Sequence, residues 1–326
     1  MSPMLPKLGA FRAALLTGWI VLSTAGWLYA RAKNIPLWLA LPIIAAFLLE
    51  YSFYLVPGIE AAREQLRARL SRGALALPLA LSAIAPYLVY SLFTGQFSWM
   101  ACVSLVAIVA AVSFWYVVLR PSRVSDVLFL ALLAALKFSH ALNPIYTSPI
   151  DVRVDILGQL MLIRTGALAA LELRGVANIG FGFIPNQKEW VAGVRYFFYF
   201  LPVGFPLALA VGLVRLNFTG FLFWQTLAIF CRFLWVVALS EEFFFRGMLQ
   251  QWLTAWTAWP NLALIATSLL FGAAHLPVRA FPNWKMAVVS AVAGLFYGIA
   301  YRKTGSIRAS MVTHALVVTA WRTLFV

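Results

Sequence analysis

FSWMACVSLVAIVAAVSFWYVVL, residues 97–119, runs for 23 residues without a charged side chain. About 20 apolar residues in an α-helix are enough to cross the hydrocarbon core of a bilayer. In lipid, only a helix or a closed barrel satisfies every backbone polar group. A run of this length therefore reads as a membrane-spanning helix. Working outward, the pattern recurs at about 13–30, 36–56, 73–93 and 124–142. After a gap it resumes at 196–214, 218–239, 261–276, 286–301 and 309–326. The runs at 261–276 and 286–301 are short, so the expected fold is all-α, a polytopic transmembrane bundle of about eight to ten helices.

Composition agrees with that reading. Of 326 residues, 63% are hydrophobic and 11% charged, with a mean hydropathy of +0.89. Soluble domains carry roughly a quarter charged residues, so a soluble globular protein is excluded. The balance of 25 basic against 10 acidic residues gives a net charge of +15. In a membrane chain, Lys and Arg collect in short cytosolic loops beside anionic lipid, so no nucleic-acid partner is expected. Cys102 and Cys231 lie far apart in apolar runs, with no metal-type spacing and no disulfide framework. The first run, with Lys7 and Arg12 ahead of it, reads as an uncleaved helix rather than a signal peptide.

Two stretches are not simple spans. Residues 58–72 (GIEAAREQLRARLSR) carry Arg63, Arg67, Arg69 and Arg72 and read as a basic amphipathic helix on the cytosolic face. Residues 143–194 hold Asp151, Asp155, Glu172 and Glu189 and a strand-like FGFIP at 181–185. They are expected to be a solvent-facing or interfacial connection, with an interfacial helix at 155–173. The domains expected are thus an N-terminal transmembrane bundle at 1–142, the connection at 143–194 and a C-terminal bundle at 195–326.

The chemistry is marked by where acidic residues are scarce. From Trp190 to Val326 the carboxylates are Glu241 and Glu242, adjacent within ALSEEFFFRGMLQ. An ionisable group at membrane depth costs at least a few kcal/mol, so such residues face a cavity or a partner. The bland reading is a buried ion pair with Arg246 that locks helices together. It suits Glu242, four residues from Arg246 on one helical face. Glu241 projects about 100° away around the helix, which nominates it as a general base. His275 ends the apolar segment containing Phe271, and His314 lies inside the last run, SMVTHALVVTAW. Alone, each is more often a satisfied core histidine. With a Glu pair in the same half of the chain, they suggest a constellation that activates water and stabilises an oxyanion, or that ligates zinc.

These residues resemble a family. Glu241-Glu242-x-x-x-Arg246, Phe271-x-x-x-His275 and a final-helix histidine after GLFYGIAYRKTGSIRASMVTH look like the motifs of the CPBP family, the CAAX-protease and bacteriocin-processing (ABI) intramembrane endopeptidases. The resemblance covers about residues 195–326. It implies that Glu241 is the base activating the hydrolytic water and that Glu242 is its neighbour held with Arg246. It further implies that His275 and His314 position water and stabilise the oxyanion, and that Phe271 shapes the site. No cofactor is required in this glutamic mechanism. Zinc held by Glu241, His275 and His314 is compatible with the same residues. The implied substrate is a lipid-modified or membrane-anchored protein, and the implied setting is the lipid bilayer of a bacterial plasma (inner) membrane.

One position departs from the family. Asn or Asp usually stands four residues after the last histidine as an oxyanion donor; here it is Val318. Losing one such donor costs on the order of 3 kcal/mol in the transition state. Thr313, Thr319 or Asn261 could substitute, or the protein is a non-catalytic scaffold or immunity-type relative. A proton- or ion-coupled transporter is a further alternative; it requires carboxylates spread along a pathway and broken helices in both halves.

Overall fold

The computed structural model describes residues 8–150, 152–215 and 223–325. Lys7, Asp151, Val326 and the start of the 218–239 run lie outside the described residues. Those described are 79% helical with no β-strand, so the chain is an all-α polytopic helical bundle. Among the described residues, seven helices are long and apolar enough to cross a membrane. The chain divides into two compact units, Met1–Ala177 and Asn178–Val326.

The first unit contains α1 (Gly9–Ala32), α2 (Leu37–Gly58), α3 (Glu60–Arg69), α4 (Arg72–Phe93), α5 (Trp99–Val118), α6 (Arg123–Phe138) and α7 (Asp155–Leu168), which continues as a π-helical turn over Ala169–Arg174. Ser71, Ser98 and Ser122 cap α4, α5 and α6, each accepting a backbone N–H of the first turn. Such caps satisfy donors that a helix start leaves without an internal partner. The core gathers Tyr87, Leu105, Leu157 and Met161. Leu16, Ile20 and Leu28 of α1 are exposed, as suits a helix facing lipid.

The solvent-facing reading of 143–194 fails over Asp155–Arg174. That segment is one of the seven candidate spans and is mostly buried. Its charges obscured it, and the structure shows where they go. Arg164, 1% exposed, donates from Nε and Nη2 to the two oxygens of Glu50 on α2, at 2.6 and 3.1 Å, and from Nη1 and Nη2 to the hydroxyl and carbonyl of Ser82 on α4. Arg67 meets Glu172 at 3.1 Å, and Arg174 meets Asp126 at 2.7 Å. Glu50, isolated in the sequence, is therefore half of a buried ion pair.

The second unit contains α8 (Gln187–Ala210), α9 (Phe223–Arg232), α10 (Leu239–Glu242), α11 (Gln251–Thr257), α12 (Pro260–Ala273), α13 (Trp284–Thr304) and α14 (Ile307–Leu324). An expected boundary at 194/195 would cut through α8. Residues 178–186 belong here, and they form bends rather than the strand suggested by FGFIP. They dock on the turn between α13 and α14: Ile307 N–H donates to Ile179 C=O at 2.8 Å, and Ser306 Oγ donates to Gly180 C=O at 3.2 Å. Gly305 supplies the left-handed residue, φ 67°, that ends α13. Arg308 then pairs with Glu189 at 2.8 Å.

Candidate active site

The Glu pair occupies an irregular part of the helical path. α10, only four residues long, is bracketed by π-helical stretches Phe233–Ala238 and Phe243–Gln250. π-Turns widen the helix and re-aim side chains, and they recur at functional sites. Glu242 and Arg246 are both fully buried and meet at 3.0 Å, as their spacing of four predicted.

Two further contacts hold the arginine. Its Nη2 donates to the carbonyl of Gly294 on α13 at 2.9 Å. Its guanidinium lies over the rings of Phe271, at 4.7 Å, and Tyr297, at 5.4 Å, a cation–π arrangement. One π-helical turn on, Gln250 Nε2 donates to the carbonyl of Gly298 at 3.3 Å. A Cβ on Gly294 would sit 3.3 Å from Arg246 Nη2, and one on Gly298 would sit 2.7 Å from Gln250 Oε1. The two glycines of Gly294-Leu-Phe-Tyr-Gly298 thus leave room for these polar side chains to reach the α13 backbone.

Glu242 also holds His314. The imidazole Nδ1 lies 2.8 Å from Glu242 Oε1, the same oxygen that accepts from Arg246 Nη1. The bond fixes the ring so that Nε2 faces Glu241 Oε2 at 4.0 Å. The ring is stacked on Tyr297, with centroids 4.7 Å apart and planes 12° from parallel. It meets Phe271 edge-on at 5.7 Å. The two carboxylates differ in access. The Glu241 side chain is 15% exposed and that of Glu242 is 0% exposed. That exposure does not extend to Glu241 Oε2, the oxygen facing His314, which is buried.

His275 joins the group through Phe271. Its ring lies 4.7 Å from that of Phe271, and its Nδ1 donates to the Phe271 carbonyl at 2.8 Å. Among the described residues, no three His, Cys, Asp or Glu side chains are grouped as a metal ion requires.

The structure thus brings together Glu241, Glu242, Arg246, Phe271 and His314, with His275 at the edge. Sequence reasoning missed Tyr297 and Gln250. The 48-residue separations of Arg246 from Gly294 and of Gln250 from Gly298 leave no local signal of those contacts. Of the proposed substitutes for the absent donor, Thr313 is committed to the carbonyls of Gly193 and Ala309. Asn261 is exposed at the start of α12 and accepts from Arg302. Thr319 is buried, five residues and about 140° around the helix from His314.

Residues 223–320 match the family model described as type II CAAX prenyl endopeptidase Rce1-like. The chain carries an Rce1-like domain. That domain contains the Glu pair, Arg246, Phe271, both histidines, Tyr297 and Val318. The CPBP resemblance falls on the same residues, and the family is one of membrane proteases. With seven apolar helices among the described residues, α13 of the matched domain included, the chain is an integral membrane protein. No curated protein and no solved structure matches it.

Proposed function

We propose that this protein is an intramembrane endopeptidase that hydrolyses a peptide bond, in or near the membrane, of a lipid-modified or membrane-anchored protein. A bacterial plasma membrane is its proposed setting. The observation that carries the reading is the pairing of Glu241 Oε2 with His314 Nε2 at 4.0 Å, with His314 held from behind by Glu242 and Arg246.

Two acceptors about 4 Å apart can share one water at ordinary hydrogen-bond lengths. In the neutral His314 ring, Nδ1–H is engaged with Glu242, so Nε2 is an acceptor. The shared water then donates one hydrogen to Nε2 and one to Glu241, and its lone pairs point away from both towards the substrate. Glu241 takes the proton as the water oxygen bonds to the carbonyl carbon. The carbonyl π electrons move to oxygen, giving a tetrahedral oxyanion. When the intermediate collapses, the C–N bond breaks, and protonated Glu241 returns its proton to the leaving nitrogen. Glu242 and Arg246 neither gain nor lose a proton; they fix His314 and its tautomer.

A transporter is disfavoured by the first unit, where Glu50 and Asp126 are each tied to an arginine rather than arrayed along a path. The test compares protein termini in membranes expressing wild type and Glu241→Gln at matched levels. New termini that appear with the wild type alone support the protease and identify its substrate. Identical profiles from two folded proteins replace it with the scaffold reading.

A further inference from the structure

Neither imidazole Nδ1 is free to donate to the oxyanion. His275 Nδ1 must carry its proton, because it bonds a carbonyl, which can only accept. His314 Nδ1 is committed to Glu242. On the reading above, Nε2 of His314 accepts from the shared water and so does not donate to the developing negative charge. Arg246 is turned towards Glu242 and Gly294. Val318, one turn past His314 on the same face, has no polar atom.

Tyr297 meets the requirement. It projects from α13, and its ring lies parallel to His314 at 4.7 Å, edge-on to Phe271 at 5.8 Å and within 5.4 Å of the Arg246 guanidinium. Three contacts of this kind fix both ring angles, so the hydroxyl is held in place before substrate arrives. Preorganised donors of this type, tyrosine hydroxyls included, act on charge that develops in the transition state at no cost in reorganisation. The hydroxyl makes no hydrogen bond to any described residue, which leaves its proton available. The hydroxyls of Thr267 and Thr319, also without hydrogen-bond partners, are sealed from solvent.

On the reading that Glu241 activates water here, we propose that Tyr297 is a further catalytic residue, whose hydroxyl donates to the oxyanion in place of the side chain that is absent at position 318. The hydroxyl keeps its proton throughout and adds no step to the reaction.

Tyr297→Phe tests this, because it keeps the stacked ring and removes the donor. The rate of product-terminus formation per folded enzyme should fall about 100-fold or more, through kcat with KM unchanged and with the wild-type melting temperature. Adding Val318→Asn, which puts an amide donor one turn beyond His314, should recover much of that loss. Wild-type turnover by Tyr297→Phe overturns the inference. A parallel fall in turnover and melting temperature without rescue by Val318→Asn also overturns it, since that is the signature of a packing role. Glu241→Gln, assayed alongside, separates the two levels: activity in that variant overturns the protease reading itself, whereas an inactive Glu241→Gln beside a fully active Tyr297→Phe removes only the role of Tyr297.

Discussion

Each unit buries a glutamate against an arginine, and the two centres have opposite characters. In the first unit, Glu50 and Arg164 are both sealed, and Ser82 accepts two more guanidinium hydrogens. Every polar atom is turned inward, and the pair is a lock between α2, α4 and α7. In the second unit, Arg246 meets Glu242 through one carboxylate oxygen, and that same oxygen is shared with His314. The imidazole relays the arrangement outward to Glu241, which keeps some exposure. A buried ion pair becomes chemistry when one member is also bonded to a group that can face water. The second carboxylate, next in sequence, is the base proposed above.

Substitutions can break this comparison in graded ways. The largest effect belongs to Glu241→Gln, expected to lower product formation by about 100- to 10,000-fold, the range of a general base, with wild-type thermal unfolding in detergent. Next come the arginines. Arg164→Met and Arg246→Met each strand a buried carboxylate and should each cost about 3–5 kcal/mol of stability, read from denaturant titration. Product formation per folded molecule should survive the first change and not the second.

Replacing both members sharpens the contrast. Glu50→Leu with Arg164→Met should return stability to near wild type, as apolar replacements of buried pairs often do, and activity should persist. Glu242→Leu with Arg246→Met should leave His314 without its anchor and abolish turnover even where the fold recovers. Gly272→Ala is a smaller perturbation. Its Cβ would lie 2.5 Å from the backbone carbonyl of Ala287, so α12 and α13 must separate, at about 1–3 kcal/mol. Smallest of all is metal removal. Dialysis against a chelator should leave turnover unchanged, because the proposed steps run through protein side chains.

The two centres were unequally legible in the sequence. Glu242 and Arg246 are four apart, and helical periodicity alone pairs them. Glu50 and Arg164 are 114 residues apart, and no local pattern connects them. Arg164 even hid its own helix: with Asp155 and Glu172 it made Asp155–Arg174 look too polar to be buried, although each charge has a partner. The apolar runs at 73–93 and 97–119, which define α4 and α5, carry no such interruption and read directly. Phe271 and His275 were legible as a spaced motif. Tyr297 was not, because nothing local distinguishes one aromatic among the many in this chain from its lipid-facing neighbours.

The most direct test measures product termini per folded molecule for wild type, Glu241→Gln and the Glu50→Leu/Arg164→Met pair in the same membranes. Termini should be lost with Glu241→Gln and retained with the paired replacement. Retention with Glu241→Gln would contradict the account of the second unit as a glutamate-driven hydrolytic site, and loss with the paired replacement would contradict the account of the first unit's pair as a lock.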